Sequence, residues 1–270
     1  MSLDYQCPLC QQSLELHAKV LKCINNHSFD TAKEGYVNLL PVQQKNSKQP
    51  GDNLDMVQAR RAFLTTGHYQ FLQHAVAQRV ALQAPQQVID LGCGEGFYTH
   101  AIANACTAHV YGVDISKSAV KYAAKRYSNC NFSVASISQA PFNDGSADVL
   151  VSIFAPLFDA ELARLAKPDA TLVVASPGPW HLKELKHYIY RDVNAHTPIA
   201  APVGFELIEQ TLLEQQISLP FKDVKNLITM TPFAWKFRPE HWQQLEQQGE
   251  QVVTLSFYVS QFKRVTDSLG

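Results

Sequence analysis

The chain lacks a stretch of about 18 uncharged apolar residues, so no membrane-spanning helix is expected. It also lacks an apolar segment at its start. Residues Met1 to Cys10 include Asp4, so no secretory leader is expected and the chain is expected to stay in the cytosol. A charge excess is missing too: 23 Lys and Arg stand against 24 Asp and Glu, a formal net charge of −1. That removes the global positive field by which dedicated nucleic-acid binders attract phosphate, and leaves room only for a local basic patch. There is no internal repeat and no low-complexity tract. What is present is an ordinary globular balance, 46% hydrophobic and 17% charged over 270 residues, enough for one large domain and a small one.

Six cysteines in a chain expected to be cytosolic read as reduced thiols or metal ligands rather than disulfides. Cys7-Pro8-Leu9-Cys10 gives C-x2-C, twelve residues separate Cys10 from Cys23, and His27 follows as C-x3-H. Zinc takes four thiolate or imidazole ligands in a tetrahedral shell, and paired short spacings let two tight turns donate two ligands each. Between them, Ser13 to Lys22 read as a short hairpin carrying Leu14, Leu16 and Val20. Cys7, Cys10, Cys23 and His27 are therefore the expected metal ligands, with His17 a less well-spaced alternative. A closed set of four leaves no position for water, so the expected zinc is structural. Cys93, Cys106 and Cys130 are scattered and read as core or partly buried thiols.

Residues Phe29 to Pro41 close the small module, and Val42 to Asp55 are polar and read as a linker. Helical spacing starts near Leu54, with Met56, Ala59, Phe63 and Leu64, and resumes from about Tyr69 to Leu82 after Gly67. Strands then alternate with helices: Val88 to Leu91, His109 to Asp114, Phe132 to Val134, Ala147 to Val151 and Leu172 to Ala175, with Val252 to Phe262 reading as an edge strand. Alternation of this kind means βαβ units and a parallel sheet covered on both faces.

The first strand runs into Asp90-Leu91-Gly92-Cys93-Gly94-Glu95-Gly96. Glycines here allow positive φ and let a ligand approach the backbone at a helix N-terminus. The spacing is G-x-G-x-G, not the G-x-G-x-x-G of a dinucleotide site. Asp114 ends the second strand, where a carboxylate accepts ribose hydroxyls.

Together with Val113-Asp114-Ile115-Ser116, this turn resembles the class I S-adenosylmethionine methyltransferases. The resemblance implies that the glycines line the methionine part of the cofactor and that Asp114 binds its ribose. Two departures are visible: Ala135-Ser136 stand where many members have an acid near the adenine, and Pro168-Asp169-Ala170 replaces a common Pro-Gly-Gly turn. Further blocks span nearly the whole chain: Cys7 to Cys10, Ala32 to Leu40, Gln58 to Leu64, Gly67-His68-Tyr69 and Met230 to Trp235. Taken in order, they resemble the 23S rRNA (guanine-N1)-methyltransferases.

That resemblance implies a Rossmann-like class I methyltransferase fold, α/β with a mostly parallel seven-stranded sheet, and a small N-terminal zinc-binding domain. The implied division is residues 1–40 for the zinc module, 41–55 for the linker and 56–270 for the S-adenosylmethionine-dependent domain. Its implied reaction is methylation at N1 of a guanine in a 23S rRNA hairpin, on free rRNA or a pre-ribosomal particle. The zinc module would help to hold RNA, and a homodimer is left open. The implied cofactor residues are Tyr69, Asp90, Gly92, Gly94, Glu95, Gly96, Asp114 and His181, and the zinc set is again Cys7, Cys10, Cys23 and His27.

No residue announces itself as the base for the guanine proton. Asp159 and Glu161 follow the fourth strand but read as helix-capping carboxylates. Phe233 and Trp235 offer stacking surfaces that equally suit a core. Lys33, Lys45, Lys48, Arg60 and Arg61 are candidates for a phosphate-binding strip. Competing readings are a quinone or lipid-precursor methyltransferase, since the fold hosts many substrates, a non-catalytic zinc-bearing RNA-binding protein, and a nicotinamide oxidoreductase.

Overall fold

The computed structural model describes residues 5–42, 51 and 53–265. At the N-terminus, β1 (Glu15–His17), β2 (Val20–Lys22) and β3 (Ser28–Asp30) form a small antiparallel sheet. β4 (Val37–Asn38) follows, then α1 (Leu54–Leu64) and α2 (Gln70–Ala81). Asn53 caps α1 by accepting the Met56 N–H at 2.9 Å, with Asp55 in the first turn, as helix N-termini favour. The helix thus takes in Leu54 and Asp55, the last two residues of the expected linker; residues 43–50 and 52 of that linker lie outside the described residues.

The alternating part comprises β5 (Gln87–Leu91), α3 (Phe97–Ala105), β6 (His109–Asp114), α4 (Lys117–Arg126), β7 (Asn131–Val134), β8 (Ala147–Ile153), α5 (Asp159–Leu165) and β9 (Ala166–Pro177). After the single turn α6 (Lys183–Lys186) come β10 (Phe205–Pro220), α7 (Phe221–Thr229), α8 (Pro239–Gln248) and β11 (Glu250–Arg264). These strands form one sheet in the order β10-β11-β9-β8-β5-β6-β7-β4. Every pairing from β4 to β9 is parallel, whereas β9–β11 and β11–β10 are antiparallel. The sheet has eight strands rather than seven because β4 adds to its edge beside β7. β11 is an interior strand, not the edge strand its alternation suggested: β10 pairs along its length and takes the edge. Its Val253, Leu255, Phe257 and Phe262 are accordingly buried.

Side-chain alternation sends successive residues of each strand to opposite faces. Val88, Val149, Val151 and Phe257 meet α1, α2, α3, α7 and α8 on one face. Ile89, Tyr111, Leu150 and Leu172 face the other way. There the connection from β7 to β8, residues 135–146, contains no helix, so the usual crossover cover is missing. The N-terminal module occupies that place. Tyr5, Leu14 and Leu21 join the core of this face, and the Tyr5 ring packs edge-on against Tyr111 at 5.5 Å and tilted against Phe142 at 5.2 Å. The Gln6 N–H donates to the Pro141 carbonyl at 2.8 Å, fixing the module to the helix-free connection. The small module and the large sheet therefore share one core.

Candidate functional site

Two tight turns bring the N-terminal cysteines and histidine together. The Gln11 N–H closes the first turn on the Cys7 carbonyl at 2.8 Å, and the Asn26 N–H closes the second on the Cys23 carbonyl at 2.9 Å. Gln11 and Asn26 lie in the left-handed region, with φ of 60° and 62°, which turns each knuckle back on itself. The donor atoms of Cys7, Cys10, Cys23 and His27 all lie within 4.8 Å of one another. His27 Nδ1 sits 3.5, 3.3 and 3.5 Å from the sulfurs of Cys7, Cys10 and Cys23, and Cys10 and Cys23 are 3.6 Å apart. A tetrahedral ion at zinc–sulfur and zinc–nitrogen lengths of about 2.3 and 2.1 Å requires separations of about 3.6–3.8 Å. The donor set and its spacing fit zinc. A backbone N–H from Gln12 holds the Cys10 thiol down to about 6, favouring the thiolate a metal needs, while burial raises Cys7 to about 11. His17 lies on the exposed β1 with Glu15 as its neighbour and is not in the cluster.

The second site lies at the carboxyl ends of the parallel strands. β5 is flanked by β6 on one side and β8 on the other, which makes it the point where strand order reverses and a ligand crevice opens. All five residues of β5 are buried, so the turn that follows is rigidly based. Gly92, Gly94 and Gly96 have φ of 83°, 54° and 80°. Their surroundings differ. A Cβ on Gly92 would come within 2.5 Å of the Ala155 Cβ, and one on Gly96 within 3.0 Å of both Phe132 and Ala123. One on Gly94 would meet only the Arg60 Nη1, at 3.8 Å. The outer glycines are required by packing, and the middle one opens onto the crevice.

Asp114, at the end of β6, accepts the Gly94 N–H at 2.9 Å and the Ser116 N–H at 2.7 Å. Asp90 is buried in the strand and accepts the Thr99 hydroxyl at 2.6 Å, tying the strand to α3. Burial pushes its carboxyl up to about 7. Glu95 is also buried, 4.0 Å from Arg60. Tyr69, which precedes α2, packs edge-on against Phe257 at 5.0 Å, and His181 meets the same ring at 4.6 Å. His181 Nδ1 accepts the Ser256 N–H, and burial holds the imidazole neutral, near 3. Gly92, Gly94, Glu95 and Gly96 thus form the turn after β5, Asp114 is bonded to it and Asp90 lies buried beneath it, while Tyr69 and His181 share Phe257, an aromatic neighbour that sequence spacing does not disclose. Gly94's open approach and the acid ending β6 fit a ribose-bearing cofactor.

Other expected residues fall elsewhere. Glu161 does not cap its helix: its carboxylate is buried, accepts the Ala140 N–H at 2.6 Å and pairs with Arg164 at 2.7 Å. Arg60 does not belong to a solvated strip, because its guanidinium turns toward Glu95 and donates to the Met230 carbonyl at 3.4 Å. Arg61 lies 4.1 Å over the Tyr122 ring. Phe233 is partly buried near Phe237, whereas Trp235 is exposed. Lys33 lines a groove of about 800 Å³ with Glu34, Leu54, Lys121, Tyr122 and Lys125. Lys45 and Lys48 lie outside the described residues. Among the described residues, no helix is long and apolar enough to cross a membrane.

The strand order reverses over a turn that leaves one glycine open, with an acid at the end of the neighbouring strand and no x-x-G spacing for a dinucleotide. This architecture is that of an S-adenosylmethionine-dependent methyltransferase of class I. Residues 82–248 match the family described as a methyltransferase domain, and residues 5–48 match the zinc ribbon described as RlmA, N-terminal. The 23S rRNA (guanine(748)-N(1))-methyltransferase of Streptomyces fradiae is 32% identical, with 87% of each chain covered. A protein of Micromonospora griseorubida, provisionally named for 23S rRNA guanine-N1 methylation, is 31% identical over 87% of this chain and 88% of its own. The chain belongs to this family of 23S rRNA (guanine-N1)-methyltransferases. The phosphoethanolamine N-methyltransferase 2 of Haemonchus contortus shares the fold at a TM-score of 0.51 and 14% identity, over 80% of this chain and 59% of that one.

Proposed function

We propose that this chain transfers a methyl group from S-adenosylmethionine to N1 of a guanine in a hairpin of 23S rRNA. The observation that carries the reading is the extent of the similarity: it runs through the zinc ribbon as well as the cofactor domain, over 87% of the chain. The trans-aconitate 2-methyltransferase of Variovorax paradoxus, a small-molecule enzyme by name, is 31% identical over only 47% of the chain. A substrate shared with that enzyme would not call for the ribbon.

In this reading Cys7, Cys10, Cys23 and His27 hold one structural zinc. Asp114 takes ribose hydroxyls while its backbone partners keep it aimed, and Gly94 lets the cofactor approach the turn. Gly92 and Gly96 hold the turn's shape, Asp90 and Glu95 secure its base, and Tyr69 and His181 wall the crevice through Phe257. Bound S-adenosylmethionine supplies a methyl on a sulfonium and leaves as the thioether S-adenosylhomocysteine, while guanine N1 gives up its proton to water; the in-line displacement needs alignment above all. The chain's own work is therefore to hold a flipped or looped guanine with N1 facing the crevice. Lys33, Lys121 and Lys125 form a basic groove beside α4 suited to backbone phosphates, although Lys121 also pairs with Glu34 at 3.6 Å.

The test is nucleoside mass spectrometry of unmodified 23S rRNA after incubation with protein and S-adenosylmethionine. New 1-methylguanosine is expected. Cofactor binding without methyl gain on rRNA or ribosomal particles would transfer the assignment to a small-molecule substrate.

A further inference from the structure

Among the described residues, seven other than glycine have positive φ: Gln11, Ala18, Asn26, Ala84, Phe154, Asp169 and Leu182. Only two of them are large and apolar. Leu182 is fully buried, so core packing accounts for it, and its N–H donates to the Thr254 carbonyl. Phe154 is different. Its φ is 57°, yet its side chain is 45% exposed. A left-handed backbone is unfavourable for a residue of this type and persists where the surroundings enforce it, often at a binding site. Here the Phe154 N–H donates to the Ala175 carbonyl at 3.0 Å, and the Ser152 hydroxyl donates to the Ala155 carbonyl at 3.2 Å. The kink is thus held from β9 and from within the turn.

Its place in the fold gives the kink a purpose. Phe154 is the first residue past β8, the strand next to β5 at the reversal point. The following residue, Ala155, lies against Gly92 of the cofactor turn. The Phe154 ring is 5.6 Å from Phe257, the ring that also contacts Tyr69 and His181. Tyr69, Phe257 and His181 are buried, and Phe154 is the one of these four that reaches solvent. A flipped or looped base needs an exposed π-face beside the methyl donor on which to stack.

We propose that Phe154 is the stacking platform for the target purine, a base-binding site at the carboxyl end of β8; this rests on the reading that the chain methylates guanine in RNA. The ring orients the base over the crevice and takes no part in bond making. Its loss acts on RNA as substrate and leaves the cofactor unaffected.

The experiment compares wild type with Phe154→Tyr, Phe154→Ala and Phe154→Gly, using unmodified 23S rRNA transcript and S-adenosylmethionine. Formation of 1-methylguanosine gives kcat/KM, calorimetry gives cofactor affinity, and thermal melting reports the fold. Tyr should stay within about threefold of wild type, while Ala and Gly should lose roughly 5- to 150-fold in kcat/KM, the scale of one base–aromatic stack. Cofactor affinity should not change. Phe154→Gly suits the left-handed backbone and should melt above Phe154→Ala, and a folded transition with unchanged cofactor affinity in both separates loss of the ring from loss of the fold. Wild-type kcat/KM in Phe154→Gly would overturn the proposal, as would a parallel fall in cofactor affinity, which would put the ring in the cofactor pocket. Absence of methyl transfer to any guanine by wild type would instead defeat the underlying reading before any variant is compared.

Discussion

Ala155 stands where a side chain on Gly92 would have to go: a Cβ built on Gly92 falls 2.5 Å from the Ala155 Cβ. The cofactor turn and the turn after β8 are therefore fitted to each other. Gly92→Ala should cost about 2–5 kcal/mol of stability, combining the left-handed penalty with overpacking. Gly94→Ala meets open space and should cost only about 1–2 kcal/mol, from its φ alone. Its effect should appear instead as weakened S-adenosylmethionine binding. Denaturant unfolding and calorimetric titration of both variants separate the two; equal destabilisation would contradict the packing argument.

Removing zinc should weaken the whole molecule and not the ribbon alone. Tyr5 and Leu21 belong to the same core as Ile89 and Tyr111, so loss of the knuckles uncovers a sheet face. Metal analysis should give about one zinc per chain. Scanning calorimetry with a chelator, or of Cys23→Ser, should show the main transition moving down. A main transition unmoved while a small one disappears would separate the ribbon from the sheet.

Asp90 makes stability depend on pH in a direction opposite to most carboxylates. Its folded-state value, about 7, lies above the ordinary carboxyl value of 3.8. Between those values the folded protein holds a proton that the unfolded chain has lost. Asp90's contribution is therefore complete below about pH 4 and declines as pH rises through 7. Asp90→Asn should remove that decline in the cofactor-free protein. Urea unfolding of wild type and variant from about pH 5 to 8 checks this, and parallel curves would show that Asp90 ionises normally.

Charge reversal should separate the proposed cofactor site from the proposed RNA groove. Arg60→Glu would place a negative charge beside Glu95 and should impair cofactor binding. Lys33→Glu with Lys125→Glu should leave cofactor affinity alone, weaken RNA binding and reduce the salt slope by about 1–2. Filter binding at several salt concentrations measures it, and an unchanged slope would remove the groove from the RNA surface.

Much of this was legible in the chain, for reasons that differ by element. β5 could be read because Val88, Ile89 and Leu91 make a short β-branched and apolar run broken only by Asp90, and the glycine spacing after it needed no tertiary knowledge. The zinc knuckles were legible because ligand chemistry fixes spacing tightly. β10 was not. Its run of Leu, Ile, Glu and Gln has helix-forming composition, and it becomes a strand by pairing with β11 over nearly its whole length. That same pairing turned β11 from an expected edge into an interior strand. Arg60 and Glu161 were misplaced for a common reason: a charged side chain on a helix looks solvated until a partner distant in sequence, Met230 or Ala140, is brought beside it. Phe154 carried a faint signal, an aromatic residue directly after the fourth strand of the alternating series, but its left-handed backbone is set by long-range hydrogen bonds.

The helix-free connection between β7 and β8 bears on how the ribbon can be studied. Because Tyr5, Leu14 and Leu21 stand in for a crossover helix, a chain shortened to begin after the ribbon would present Tyr111, Phe142 and Leu150 to water. Loss of RNA binding in such a truncation would report a damaged enzyme and not a missing recognition module. Amputation cannot isolate this ribbon's role; replacing only its outward-facing residues, such as Leu9 and Ile24, can.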